Sequence, residues 1–291
     1  MAAVWSGDPT IAFTKSSYDG TPDGDFATRA DIAAQDACEA IRAVVTPWAG
    51  AIGEEKGLRI PCTLPGKPEW YAYWTFDGCD GSRHFQRLDR LVKAGHKKGG
   101  VASMVAFVWD GEVVAAAVGD VFKRVIYLLD PVSGTVFEYD VSNNLAPANL
   151  SARVRTETLT GGLLLRRGNR DGYHPLVAGL IDGHFPNWEY YATESFGVGM
   201  SRLWTDVVTV HVQGGGVGHV TPWDDTPVIG INRALKMVYL RPSPDGEALE
   251  EFVPQLVTGD PVARPLNTVV LYYKRIAQLR QLVPVRMLAG T

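Results

Sequence analysis

Two aspartates three residues apart, Asp77 and Asp80, end an aromatic, strand-like run from Trp70 to Phe76 and are followed by Gly81-Ser82. Hard divalent cations take carboxylate and carbonyl oxygens, and Asp77, the Cys79 carbonyl and Asp80 offer three at one bend. Gly81 permits close backbone approach. The segment beyond it carries Phe85, Leu88, Leu91 and Val92 at helical intervals, and the free N–H groups at a helix start favour an anion. A metal beside a phosphate is the chemistry these residue types suggest. Acidic turns with Gly and Ser also serve as solvated loops or helix caps, so other parts of the chain must decide.

Three further acidic sites bear on the choice. Thr28-x-x-Asp31 has capping-box spacing and opens an apolar-periodic run (Ile32, Cys38, Ile41, Val44, Val45) that Pro47 ends. A short apolar stretch over 49–52 ends in Gly53-Glu54-Glu55-Lys56-Gly57, where adjacent carboxylates are commonly solvated turn residues. The Gly-rich turn 214–218 precedes Trp223-Asp224-Asp225-Thr226-Pro227. There Asp224 or Asp225 reads as the N-cap of a helix through Leu235, with Pro227 in its first turn.

The elements that must position these residues differ between the halves. Residues 104–109 and 113–118 flank Asp110-Gly111, a compact hairpin signal, and 125–129 and 135–139 flank the longer Asp130–Gly134 loop. Four successive strands predict an antiparallel meander. A turn-rich stretch over 142–149 marks a boundary between an N-terminal α+β subdomain, 1–145, with most of the acidic residues, and a C-terminal α/β subdomain, 146–291, with the Trp223-Asp224 pair. In the second half the pattern predicts a strand at 163–165 and a short helix over 171–181. It also predicts a strand at 236–240 and a terminal helix over 266–282, while 203–212 fits either helix or strand.

Composition narrows the class. A chain of 291 residues, 46% hydrophobic and 21% charged, can bury a large core. Its net charge of −4, with no long Lys/Arg run, argues against a nucleic-acid backbone binder. Three cysteines without metal-type spacing suggest reduced thiols in a cytoplasmic protein. The first residues lack the basic head and apolar core of a signal peptide. No apolar run reaches the length of a membrane span, so the expectation is a soluble protein with no membrane partner. No pair of histidines has zinc spacing.

In order, Thr28-x-x-Asp31, Gly53-Glu54-Glu55, Asp77-x-Cys79-Asp80-Gly81-Ser82 and Trp223-Asp224 resemble the motifs of the inositol monophosphatase family: T-x-x-D, G-E-E, D-P-[IL]-D-G-T and W-D. The Asp130-Pro131 hairpin is similar to a further segment of that family, and the resemblance spans about residues 15–240. It implies an α+β fold, a layered α-β-α-β-α sandwich with the site between two subdomains, and a homodimer. It also implies two or three Mg2+ per site. Glu54, Asp77 and the Cys79 carbonyl would hold the first ion, and Asp77, Asp80 and Asp224 the second, with Asp77 bridging. Gly81 and Ser82, with Asp80 and Arg83 beside them, would receive the phosphate. Asp31, Glu54 and Ser82 form the implied catalytic set, with Asp31 and Ser82 orienting the water.

Departures from the family pattern leave the substrate open. Gly78 stands where the family has Pro, Ser82 where it has Thr, and Arg83-His84 where a small residue or Lys precedes Asn. Inositol-specific members carry a Glu shortly before W-D, a position that falls near Val217. The expected activity is Mg-dependent hydrolysis of a small polar phosphate ester (a cyclitol, sugar or nucleoside phosphate). The rivals are a fructose-1,6-bisphosphatase, a 3′-nucleotide phosphatase with Tyr190, Tyr191 and Trp204 as an aromatic shelf, and a non-catalytic sugar-phosphate sensor on the same fold.

Overall fold

A computed structural model describes residues 12–14, 26–81, 100–143, 146–155, 158–160, 162, 164–167, 172–190, 195–214, 219–259, 262–263 and 267–288. An antiparallel pair, β1 (Ala12–Thr14) and β2 (Phe26–Thr28), precedes helix α1 (Arg29–Val45). The first sheet comprises β3 (Gly50–Gly53), β4 (Arg59–Ile60), β5 (Ala72–Asp80), β6 (Ala102–Trp109), β7 (Glu112–Asp120), β8 (Val125–Leu129), β9 (Val136–Asp140) and β10 (Ala148–Asn149). Their spatial order is β10-β9-β8-β7-β6-β5-β3-β4. All neighbours are antiparallel except β3 and β5, which run parallel. The predicted meander is β6 to β9. Asp110 and Gly111, at φ 50° and 76°, make the tight turn between β6 and β7.

The second half supplies β11 (Leu164–Arg167), α2 (Pro175–His184), β12 (Trp188–Tyr190), α3 (Phe196–Trp204), β13 (Val210–Gln213), β14 (His219–Val220), α4 (Pro222–Ala234) and β15 (Met237–Pro242). It ends with β16 (Leu249–Glu251), β17 (Val262–Ala263), β18 (Thr268–Tyr272), α5 (Ile276–Leu279) and β19 (Val285–Arg286). A mixed sheet forms in the order β12-β11-β13-β18-β15-β16-β19, and β14 pairs with β17.

Side-chain alternation builds the layers, because successive residues of a strand face opposite sides. Met104 and Val118 of the first sheet and Val270 and Met237 of the second share a core with Leu203 of α3 and Ile231 of α4, so these two helices fill the space between the sheets. Val212 and Leu271 face the other way, onto Leu180 of α2 and Leu279 of α5. Helix α1 packs against β5. The architecture is the expected α-β-α-β-α sandwich. Among the described residues no helix is long and apolar enough to cross a membrane.

Three local expectations are corrected. The terminal helix over 266–282 is instead β18 followed by short helical turns; Thr268-Val269-Val270-Leu271-Tyr272 is β-branched and aromatic, and it occupies the middle of the second sheet between β13 and β15. The ambiguous 203–212 segment is split, α3 ending at Trp204 and β13 starting at Val210. Helix α1 is turned opposite to its apolar pattern: Asp31, Gln35 and Arg42 are buried, whereas Ile41, Val44 and Val45 are 64%, 82% and 65% exposed. The polar face is inside because it has partners there. The Arg42 guanidinium donates to the Ala49 carbonyl at 2.8 Å and to Glu39 at 2.7 Å.

Candidate metal centre

The parallel pairing of β3 with β5 aligns Gly53 with Phe76, so Glu54, just past the end of β3, and Asp77, still within β5, lie side by side. The Glu54 N–H donates to the Phe76 carbonyl at 3.1 Å, and the Glu54 carboxyl hydrogen-bonds Asp77. Asp77 is 2% exposed. Its Oδ1 accepts the Cys79 N–H at 2.8 Å. The β5–β6 register shifts between Asp77 and Asp80, a bulge-type irregularity of the kind that re-aims side chains next to active sites. Gly81 follows at φ +93°, a backbone conformation that Gly adopts at little cost.

Alternation again separates the neighbours. Tyr73 packs with Trp223 of α4, while Trp74 donates its Nε1–H to Thr46 just beyond α1. Asp77 therefore belongs to the α4 side and Gly78 to the α1 side. A Cβ on residue 78 would meet the Asp31 carbonyl oxygen at 2.4 Å and the Ala34 Cβ at 3.1 Å. This contact accounts for the Gly at this position: the first turn of α1 lies directly on the strand, bringing fully buried Asp31 close enough to act electrostatically on Cys79.

Asp224 comes from the first turn of α4. The expected cap is corrected here: Thr221, extended at φ −114° and ψ 146°, precedes the helix and Pro222 takes its first position. Asp224 is thus inside the first turn, where the helix dipole favours a carboxylate. Its Oδ2 accepts the Thr221 hydroxyl at 2.6 Å. Pro227 lies within the helix rather than in its first turn.

Asp77, Asp80 and Asp224 each bring a carboxylate oxygen within 4.8 Å of the others. Burial first, then the Glu54, Asp80 and Asp224 charges, push the Asp77 carboxyl well above the ordinary aspartate range. Burial and the surrounding carboxylates likewise push up the Cys79 thiol, which stays neutral. The donors are therefore hard oxygens, the set that suits Mg2+, Ca2+ or Mn2+ rather than a thiolate-seeking metal. Ser82 and Arg83, with His84, lie outside the described residues, as does Val217. The proposed aromatic shelf fails at Trp204, which is wholly buried in the core with its Nε1–H on Asn232 Oδ1 at 2.6 Å; Tyr191 lies outside the described residues.

Two residues in contact with this site escape the motif reading. Ser195 is the N-cap of α3, accepting the Val198 N–H at 3.0 Å. Its hydroxyl also donates to Asp80 Oδ2 at 2.6 Å, and the Gly197 N–H donates to the same oxygen at 2.8 Å. A Ser ahead of an apolar run is a readable cap, but nothing local connects it to Asp80. The other is Gln35, one helical turn after Asp31 on the buried face of α1. It bonds the backbone of Glu55 in both directions at 2.8 Å. The polar stripe Asp31, Gln35, Arg42 was its available signal.

No protein-family model matches the sequence, and no curated protein matches it. Solved structures do match in fold. An inositol monophosphatase/NADP phosphatase complexed with NADP and Ca2+ superposes with a TM-score of 0.60 at 14% identity, over 93% of this chain and 85% of that one. An inositol monophosphatase/NADP phosphatase complexed with Mg2+ and phosphate gives 0.60 at 13% identity, over 94% and 86%. An inositol monophosphatase family protein from Staphylococcus aureus gives 0.61 at 14%, over 94% and 86%. At these identities the likeness is one of fold, and the chain has the inositol monophosphatase fold.

Proposed function

We propose that this chain is a Mg-dependent phosphomonoesterase of the inositol monophosphatase family, acting on a small polar phosphate ester. The observation that carries the reading is the convergence of Asp77, Asp80 and Asp224, with Glu54 against Asp77, on a fold whose neighbours include phosphatases. Glu54, Asp77 and the Cys79 carbonyl are the proposed holders of one Mg2+, and Asp77, Asp80 and Asp224 of a second. Bound Mg2+ supplies Lewis acidity toward phosphoryl oxygens and lowers the pKa of water.

The chain's own residues do the rest. Asp77, buried and crowded, favours its ionised form only when positive charge offsets its neighbours, so the site is tuned to take up cations. Asp80 commits Oδ2 to Ser195 and Gly197, which fixes the direction of its other oxygen. Gly81 opens the backbone for the phosphate, with Ser82 and Arg83 as the proposed side-chain contacts. Asp31 is proposed to orient the attacking water, supported by its burial beside the strand that carries Asp77. Neighbouring structures hold D-inositol-1-phosphate in one case and NADP in another, which supports a polar phosphate ester and does not choose between a cyclitol and a nucleotide.

Phosphate release from a panel of cyclitol, sugar and nucleotide phosphates, with Mg2+, with chelator and with Li+, tests the proposal. Release from one or two compounds that requires Mg2+ is expected. Release that persists in chelator, or no release from any compound by a chain that binds Mg2+, would overturn it.

A further inference from the structure

The turn that presents Glu54 is short and conformationally costly. It runs from Gly53 to Leu58, closed by Gly53 N–H to the Leu58 carbonyl at 3.1 Å and Leu58 N–H to the Glu55 carbonyl at 3.2 Å. Lys56 and Gly57 both sit in the left-handed region, at φ 56° and 60°, which is uncommon for a lysine. A turn of this kind persists only where its surroundings over-determine it.

Two links tie it to α1. The outer one is the solvent-exposed Lys56–Asp36 ion pair at 2.9 Å, of a kind that contributes little. The inner one is Gln35, 2% exposed, whose Nε2 donates to the Glu55 carbonyl while its Oε1 accepts the Glu55 N–H, both at 2.8 Å. A carboxamide offers a donor and an acceptor at fixed spacing without charge, so it can hold both backbone groups of one residue beside a cluster of carboxylates without adding to their repulsion. Gly53 makes the room: a Cβ there would meet Gln35 Oε1 at 2.3 Å.

We infer that Gln35 is a positioning residue of the metal centre, holding the Glu54 carboxylate beside Asp77 by clamping the backbone of Glu55. The inference rests on the reading of Glu54 as a metal ligand. Outer-shell partners of this kind typically change metal affinity by roughly 10–100-fold when removed.

The test is Mn2+ titration of the full chain, well below its melting temperature, with amide exchange at Glu55 read in parallel. Gln35→Met keeps the length of the side chain without its hydrogen bonds. It is expected to weaken Mn2+ binding about tenfold or more and to speed Glu55 exchange. Lys56→Ala cuts the outer link and is expected to bind as wild type. Val212→Ala, a core truncation on the far face of the second sheet, should melt earlier with affinity unchanged; an equal loss of affinity there would reduce the Gln35 effect to general destabilisation and overturn the inference. A folded Gln35→Met chain with wild-type affinity overturns it directly. Should that variant fail to fold, Gly53→Ala, which displaces the carboxamide from the opposite side, decides in its place: weakened binding supports the clamp and unchanged binding overturns it. A wild-type chain that binds no divalent cation overturns the proposed function and this inference together, whereas a wild type that binds and hydrolyses alongside an equally competent Gln35→Met overturns this inference alone.

Discussion

The carboxylates proposed for the site fall into two groups held in different ways. Glu54 follows the end of β3, Asp77 lies within β5 and Asp80 ends it, and the β3–β5 ladder and the β5 bulge place them through backbone hydrogen bonds. Asp31 and Asp224 stand in the first turns of α1 and α4, which arrive from opposite sides of β5 and are placed by packing. A ladder sets relative position to within a hydrogen-bond length whatever the side chains do. A helix docks only as closely as the residues between it and the strand allow. The strand group should therefore tolerate surface changes and respond to its own charges, while the helix group should respond to a single added methyl.

The largest effect expected is from the strand group. Asp77→Asn should remove Mg-dependent turnover by more than the roughly 10–100-fold that outer-shell changes cost, measured as phosphate release on the best panel compound. It should also flatten a pH dependence. The raised Asp77 pKa means that the metal-free fold favours the protonated carboxyl. Its contribution to stability is full below the ordinary aspartate value of about 3.9 and is lost as pH rises through the raised folded value. In chelator, wild-type melting temperature should fall with rising pH over that window and the Asp77→Asn profile should be flatter, so that at neutral pH the variant is the more stable chain. With Mg2+ the order should invert. Parallel profiles in chelator would show that Asp77 is not the strained group.

Next comes the helix group. Gly78→Ala puts a methyl against the Asp31 carbonyl, a backbone atom that cannot move without moving α1. Overpacking of this sort costs about 1–3 kcal/mol, readable in thermal melts, and a loss of Mn2+ affinity should accompany it. A variant that melts like wild type would mean that α1 is not held against β5 as described.

The smallest effect belongs to the link between the halves. Ser195→Ala removes one of the two donors to Asp80 Oδ2 and the cap on Val198 N–H. The cap loss costs about 1 kcal/mol, and Gly197 retains Asp80, so Mn2+ affinity should drop only several-fold, less than the roughly 10–100-fold typical when an outer-shell partner is removed. Ser195→Thr should restore both. A loss as large as that of Asp77→Asn would make Asp80 dependent on the helix rather than on its strand, and would break the division into two groups.

What was readable along the chain is what acts over a few residues. The acidic clusters and their spacing, the Asp110-Gly111 turn and the meander follow from periodicity and local backbone preference. The family motifs added the fold, which the layers bear out. Periodicity misled where burial depended on distant neighbours. Apolar spacing pointed Ile41, Val44 and Val45 of α1 inward, but only the assembled β3–β5 edge offers Gln35 and Arg42 their backbone partners, and it turns the helix over. The 268–272 run is apolar enough for either a helix or a strand, and its place between β13 and β15 made it a strand. Ser195 reaches Asp80 across 115 residues, a contact that no local pattern carries, because a hydrogen bond between distant residues exists only once the packing has brought them together.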